Sequence, residues 1–219
     1  MKILAVDAAL ERCSVTLVAE GEFVTGRSHD GARGYAALLP AMVLDVLNEA
    51  GLTTTCLDLV AVTVGPGSFT GIRAGLALAH GIGIGLGLPV VGVTVGEALA
   101  ASLASLGSRR LWSAVDSRRG RVFLERDGVV TAFAQDDLPL PANPIAVAGD
   151  AAVEVAARLA ARGADVMLTD ARLPGGSHVA RVSALRCAGA LPPLAAQPLY
   201  IDPPEARLPA GGLRPAPCG

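Results

Sequence analysis

Apolar positions recur along this chain with two periods, and each change of period marks an element. Ile3-Leu4-Ala5-Val6 is a continuous apolar run that stops at Asp7. It is too short for a secretory leader and reads as a buried strand. A turn over 8–13 precedes a second strand over 14–19, and Glu20-Gly21-Glu22 turns the chain into a third over 23–28. Over 35–50 the period becomes helical. Tyr35, Leu38, Leu39, Met42, Val43, Val46 and Leu47 form one apolar stripe, with Pro40 confined to the first turn and Gly51 ending the helix. A buried strand over 57–64 runs into Gly65-Pro66-Gly67-Ser68-Phe69-Thr70-Gly71 and then a helix over 70–86. A strand over 90–93 and a helix over 96–106 follow.

The pattern then restarts. A strand over 111–115 closes on Asp116, as the first strand closes on Asp7. A turn at 117–120 leads to a strand over Arg121–Arg126 and an acid-Gly turn, Asp127-Gly128, as Glu20-Gly21 follows the second strand. The segment 145–149 matches 59–65, each followed by a helix of small residues, and 164–168 matches 88–91. The ordered matches imply a duplicated α/β unit. The division expected is 1–108, 109–192 and a tail over 193–219; from Leu191 onward, eight prolines at 192, 193, 198, 203, 204, 209, 215 and 217 exclude regular structure.

The stretch 74–95 has no acid, lysine or arginine, long enough to span a bilayer. Gly81, Gly83, Gly85, Gly87 and Pro89 favour instead a glycine-rich helix followed by a buried strand, so no membrane role is expected. The helices over 35–50 and 70–86 are apolar on more faces than burial against one neighbour requires, which points to a protein interface. Its expected residues are Leu38, Leu39, Met42 and Val46 on the first helix and Arg73, Leu76, Ala77 and His80 on the second.

Composition narrows the chemistry. The chain of 219 residues is 52% hydrophobic and 17% charged, with a net charge of -2, which excludes extensive disorder and argues against autonomous nucleic-acid binding. Lys2 is the sole lysine, so a Walker loop or a Schiff base lacks its essential residue. His29, His80 and His178 are far apart and form no metal-ligating pair; Cys13, Cys56, Cys187 and Cys218 form no CxxC and suit a reducing, cytoplasmic compartment. Six arginines at 109, 110, 118, 119, 121 and 126 either meet RNA phosphate or belong to a solvated hairpin.

The loop Gly65, Pro66, Gly67, Ser68, Thr70, Gly71 reads either as an anion cradle at a helix start or as a tight strand-to-helix turn. Arg73 is an anion ligand or the partner of a carboxylate. Asp7 and Asp116 stand where acids hold Mg²⁺ or activate a nucleophile, or where they cap turns. Ala8-Ala9 after Asp7 offer a phosphate no hydroxyl.

Val62-Thr63-Val64-Gly65-Pro66-Gly67-Ser68-Phe69-Thr70-Gly71-Ile72-Arg73, followed by Gly75-Leu76, resembles the signature of the TsaB (YeaZ) family of tRNA threonylcarbamoyladenosine biosynthesis proteins. Ile3-Leu4-Ala5-Val6-Asp7, Leu38-Leu39-Pro40, Leu88-Pro89-Val90-Val91-Gly92-Val93, Val115-Asp116-Ser117-Arg118 and Pro198-Leu199-Tyr200 are similar to the same family in order, from residue 3 to about 201. The resemblance implies an actin-like, Hsp70-like (ASKHA) α/β fold in two related halves, with mixed sheets flanked by helices. It also implies a non-catalytic scaffold that dimerises with the catalytic homologue TsaD and works with the ATPase TsaE. In that picture the chain has no catalytic residues, metal or cofactor of its own, ATP and a metal ion belong to the partners, and tRNA is met only through the complex. Alone, the chain is expected to homodimerise. The competing class is an active small-molecule kinase or ATPase of the same fold.

Overall fold

The computed structural model describes residues 1–31 and 33–201. Two five-stranded mixed sheets carry the fold. The first is built from β1 (Lys2–Asp7), β2 (Arg12–Ala19), β3 (Glu22–Asp30), β4 (Leu59–Gly65) and β5 (Val90–Thr94), in the order β3-β2-β1-β4-β5. The second contains β6 (Arg110–Asp116), β7 (Arg121–Arg126), β8 (Val129–Ala134), β9 (Ile145–Ala148) and β10 (Val166–Leu168), in the order β8-β7-β6-β9-β10. The two orders are the same, with antiparallel hairpins on one side of β1 and β6 and parallel strands on the other. The internal repeat is therefore a repeat of topology. β8 is the third strand of the second unit, one that hydrophobic alternation did not mark.

Both faces of the first sheet are covered, which is why its central strands are apolar throughout. Leu4, Val6, Val15, Leu17, Val60 and Val62 meet α1 (Tyr35–Glu49) and α2 (Phe69–Leu86). Ile3, Ala5, Leu59, Ala61 and Val93 meet α3 (Val95–Ser102) and α5 (Gly176–Cys187). In the second sheet Trp112, Ala114, Val122, Leu124, Ile145 and Val147 pack on α4 (Ala152–Ala161). α5 was not marked by the sequence pattern. It follows the second sheet in the chain but packs against β1, β2 and α3 of the first.

Local chemistry sets the helix ends. The Ser68 hydroxyl accepts the Gly71 N–H at 3.2 Å at the start of α2, and Gly87 ends it in the left-handed conformation. Thr94 and Glu97 form a reciprocal capping box at α3. That helix stops at Ser102, short of the expected 106, because Leu103 is extended.

α2 is, among the described residues, the one helix with the length and hydropathy to cross a membrane. Gly71, Ile72, Gly75, Leu76, Ala79 and Gly83 bury its inner face against the sheet, and only a third of it is buried. Beyond α5 the chain to Ile201 has no helix or strand but is tied down. Leu199 N–H donates to the Val64 carbonyl at 2.9 Å, His80 Nε2 lies 2.7 Å from the Ala196 carbonyl, and Arg186 donates to the Pro192 and Gly92 carbonyls at 2.7 and 2.9 Å. The rest of the expected tail, 202–219, lies outside the described residues.

Candidate functional site

The two sheets face each other across a cleft of about 1010 Å³. The β1–β2 turn and the β4–α2 loop form one wall, the β6–β7 turn the other, and residues 198–201 border it. The duplicated aspartates sit at equivalent turns and do the same local work. Asp7 Oδ1 accepts the Ala9 N–H at 3.1 Å, and Asp116 Oδ1 accepts the Arg118 N–H at 2.8 Å. Each carboxylate caps its own turn two residues on.

Their surroundings differ. Asp7 is 1% exposed, does not line the cleft, and accepts the Thr63 hydroxyl at 2.7 Å. Burial pushes its pKa up to about 6 against the opposing pull of the Thr63 and Ala9 hydrogen bonds and the Arg12 charge. Asp116 faces the cleft, and its N–H donates to Asp150 Oδ1 at 2.9 Å. The Arg118 guanidinium lies 2.9 Å from Glu11, 3.4 Å from Asp150 and 3.7 Å from Asp116. One cation therefore stands among three carboxylates, and its bond to Glu11 joins the turns of the two halves. Burial raises the pKa of Asp150.

The glycine loop packs on the β1–β2 turn. A Cβ on Gly67 would run into the Ala9 carbonyl, and one on Gly71 into the Ala8 carbonyl. Ser68 N–H donates to the Ala9 carbonyl at 2.7 Å. The glycines thus allow close approach of two loops of the same chain, which is the tight-turn reading. Pro66 is buried, and Gly65, at φ +122, packs against Ile72 and Leu199. Thr70 is exposed and lines the cleft beside Ser68 and Gly67. Arg73 is taken up internally: its guanidinium lies 3.8 Å from the Phe69 ring centroid and donates to the Tyr200 hydroxyl at 2.9 Å.

The expected interface set divides. Leu39, Met42, Val46 and Leu76 are between 0% and 7% exposed and belong to the core, a correction that follows from the stripe facing the sheet. Leu38 is half-buried; Arg73, Ala77 and His80 are exposed. Leu44 on α1 and Ile84 on α2, both off the inward face, are 60% and 83% exposed. Reading the outward positions of the two helices, rather than their strongest stripe, would have found them.

The arginine cluster is also largely spoken for. Arg109 pairs with Asp165 at 2.7 Å and Arg110 with Asp127 at 3.2 Å. Arg121 donates to the Ala132 carbonyl at 3.2 Å, and Arg126 lies between the Trp112 and Phe133 rings at 5.2 and 5.1 Å. This arrangement is that of a solvated hairpin. Among the described residues no group of three or more His, Cys, Asp and Glu could hold a metal ion.

The family model for TsaD, tRNA N6-adenosine threonylcarbamoyltransferase, matches residues 29–173. The tRNA threonylcarbamoyladenosine biosynthesis protein TsaB of Escherichia coli is 36% identical over 124 residues, 56% of this chain and 53% of that protein. The chain thus spans about half the length of that relative. An uncharacterized Mycobacterium tuberculosis protein is 37% identical over 159 residues, 67% of this chain and 71% of that one. Among solved structures, YeaZ from Pseudomonas aeruginosa superposes with a TM-score of 0.77 at 26% identity, covering 91% of this chain and 99% of that one. The (R)-2-hydroxyglutaryl-CoA dehydratase component A of Acidaminococcus fermentans shares the fold, with a TM-score of 0.50 at 10% identity over 86% of this chain and 99% of that one. With the duplicated actin-like topology and the loop over 65–71 already in place, these matches make the chain a member of the TsaB (YeaZ) family of tRNA threonylcarbamoyladenosine biosynthesis proteins.

Proposed function

We propose that this chain is a non-catalytic scaffold subunit of the cytoplasmic machinery that transfers threonylcarbamoyl to the adenosine beside the tRNA anticodon. Its partner is a TsaD homologue, docked on the outward faces of α1 and α2. TsaE joins the assembly, and ATP and a metal ion are handled by the partner subunits. Without TsaD the same faces pair two copies of the chain, and tRNA is met through the complex.

The observation that carries this reading is an outward surface on two adjacent helices that holds Leu44, Ala77 and Ile84 in solvent. The β1–β2 turn supports the absence of catalysis. Its Ala9 N–H is already given to Asp7 Oδ1, and Ala8-Ala9 offer a phosphate no side-chain donor. The open cleft is the feature that favours the alternative, a small-molecule kinase or ATPase.

The test is Leu44→Glu with Ile84→Glu, assayed by co-purification with the TsaD homologue and by threonylcarbamoyladenosine content of tRNA. The expected result is loss of both with an unchanged circular dichroism melt, since a charge is placed at an interface and not in the core. An intact complex in the folded double variant overturns the docking surface. ATP turnover by the isolated chain overturns the non-catalytic reading.

A further inference from the structure

On the other face of the first sheet, away from the cleft, is a cavity of about 250 Å³. It is roofed by the segment that leads into α5. Arg12, Ser14 and Thr16 alternate along β2 on this face, Ser28 is the cross-strand partner of Ser14, and Pro174 and Gly176 close the cavity from above.

Three features of the lining are incomplete within the chain. Ser14 is 6% exposed, and its hydroxyl is buried without a hydrogen-bond partner. Arg12 Nε is likewise buried and unpartnered, although Nη2 is held by the Pro174 carbonyl at 3.0 Å. Among the described residues Arg12 makes no ion pair. Asp30 is its cross-strand neighbour but is exposed and unbonded to it. Third, α5 begins at this cavity without a side-chain cap. The amides of His178 and Val179 bond back to the Gly175 carbonyl, whereas those of Gly176 and Ser177 have no acceptor among the described residues. A Cβ at position 176 would collide with Thr16, so the glycine brings this helix end directly onto the β2 hydroxyls.

A buried hydroxyl, a guanidinium N–H and a helix N-terminus that all lack acceptors share one need, a compact group rich in acceptor oxygens and negative charge. Asp7, the cross-strand partner of Ser14, is bound to Thr63 and Ala9 through Oδ1, while its Oδ2 is buried without a hydrogen-bond partner. At about 30 Å³ per water the cavity has room for a tetrahedral oxyanion and part of its hydration shell or of an attached alcohol.

We propose that this cavity is a binding site for a phosphate group, held by Arg12, the hydroxyls of Ser14 and Ser28, and the amides of Gly176 and Ser177. The group is carried either by a free small molecule or by the end of a nucleic-acid strand. The site is independent of the cleft and of the α1–α2 surface.

The test is amide NMR of the full chain titrated with inorganic phosphate at pH 7.5, against sodium chloride of equal ionic strength. Saturable shifts confined to Ser14, Ser28, Gly176 and Ser177 are expected. Ser14→Ala is expected to weaken phosphate about tenfold, while its melting temperature without phosphate stays the same or rises because an unsatisfied buried hydroxyl is gone. Arg12→Gln, folded by the same spectrum, is expected to abolish the shifts. No saturable shift beyond the chloride control, or an unchanged affinity in both variants, overturns the proposal. A short RNA with a 5′-phosphate, compared with the same RNA without it, then distinguishes the sources. Shifts at these amides only with the phosphorylated strand assign a nucleic-acid end, and their absence with phosphate binding retained assigns a small phosphorylated molecule.

Discussion

Glu125, on β7 of the second sheet, accepts the Gly96 N–H of α3 at 3.1 Å and the Thr94 hydroxyl at 2.7 Å. A single buried carboxylate thereby ties the two halves of the molecule at the first turn of a helix, where the exposed amides and the helix dipole favour negative charge. A Cβ on Gly96 would collide with that carboxylate. Gly96→Ala and Glu125→Ala are each expected to cost about 2 kcal/mol, the first by collision and the second by leaving a buried hydroxyl and amide unpaired. In a chain of this size that lowers the melting temperature by about 4–8 °C. Differential scanning calorimetry checks it; wild-type melting in Glu125→Ala would show that the tie contributes nothing.

Asp7 makes stability pH-dependent in the direction opposite to that of an ordinary salt-bridged acid. Its carboxyl has a pKa of about 6 in the folded chain against 3.8 in water, so the native state holds the proton more tightly. The Asp7 contribution to stability is therefore fully present below about pH 4, falls as pH rises toward 6, and is flat above, with a total of about 3 kcal/mol. Burial raises the pKa of Glu125 and Asp150 too, with the same sign. Asp7→Asn is expected to remove the Asp7 part and flatten the curve of unfolding free energy between pH 4 and 6.5. A slope identical to that of wild type would assign the titration to the other two acids.

Leu76 and Ile84 lie on the same helix and are expected to respond differently. Leu76 is 5% exposed and packed in the core, so Leu76→Ala is expected to cost about 2–5 kcal/mol and Leu76→Glu to prevent folding. Ile84 is 83% exposed, so Ile84→Glu is expected to change stability by no more than about 0.5 kcal/mol. Urea denaturation of the variants separates the two; similar losses for both would mean that α2 is packed on all sides.

The glycine loop predicts a structural phenotype for Gly67→Ala. The added methyl meets the Ala9 carbonyl, and backbone cannot be displaced as cheaply as a side-chain end. The position also has φ +155, where an L residue is strained. A loss of about 2–4 kcal/mol is expected, read from the thermal midpoint. A near-neutral effect on stability would return the loop to the anion-cradle reading.

Much of the architecture was legible because its signals are local. Continuous apolar runs marked β1 and β4, glycine and proline marked the turns, and the second Ala-Val-Asp announced the repeat before any strand order was known. β8 and α5 were not legible. Half-buried Val130, Thr131, Ala132 and Phe133 show no alternation, and α5 mixes Ser177, Arg181, Ser183 and Arg186 with its apolar residues. These elements are held by neighbours distant in the chain.

By itself the sequence determined the periods, the turns, the duplication and the 65–71 loop that signs the family, since each depends on a residue and its near neighbours. Only the tertiary structure decided which residues face what. Leu39, Met42, Val46 and Leu76 turn inward while Leu44 and Ile84 remain outside, because the sheet covers one side of each helix. Asp7 and Asp116 cap equivalent turns, yet one is sealed beneath the β1–β2 turn and the other is held by Arg118 beside Glu11 from the opposite half. Ser14 and Arg12 become incomplete donors under α5 only because a helix more than 160 residues later in the chain begins there. Burial, desolvation and charge pairing are properties of contacts between distant segments, and those contacts come into being when the chain closes.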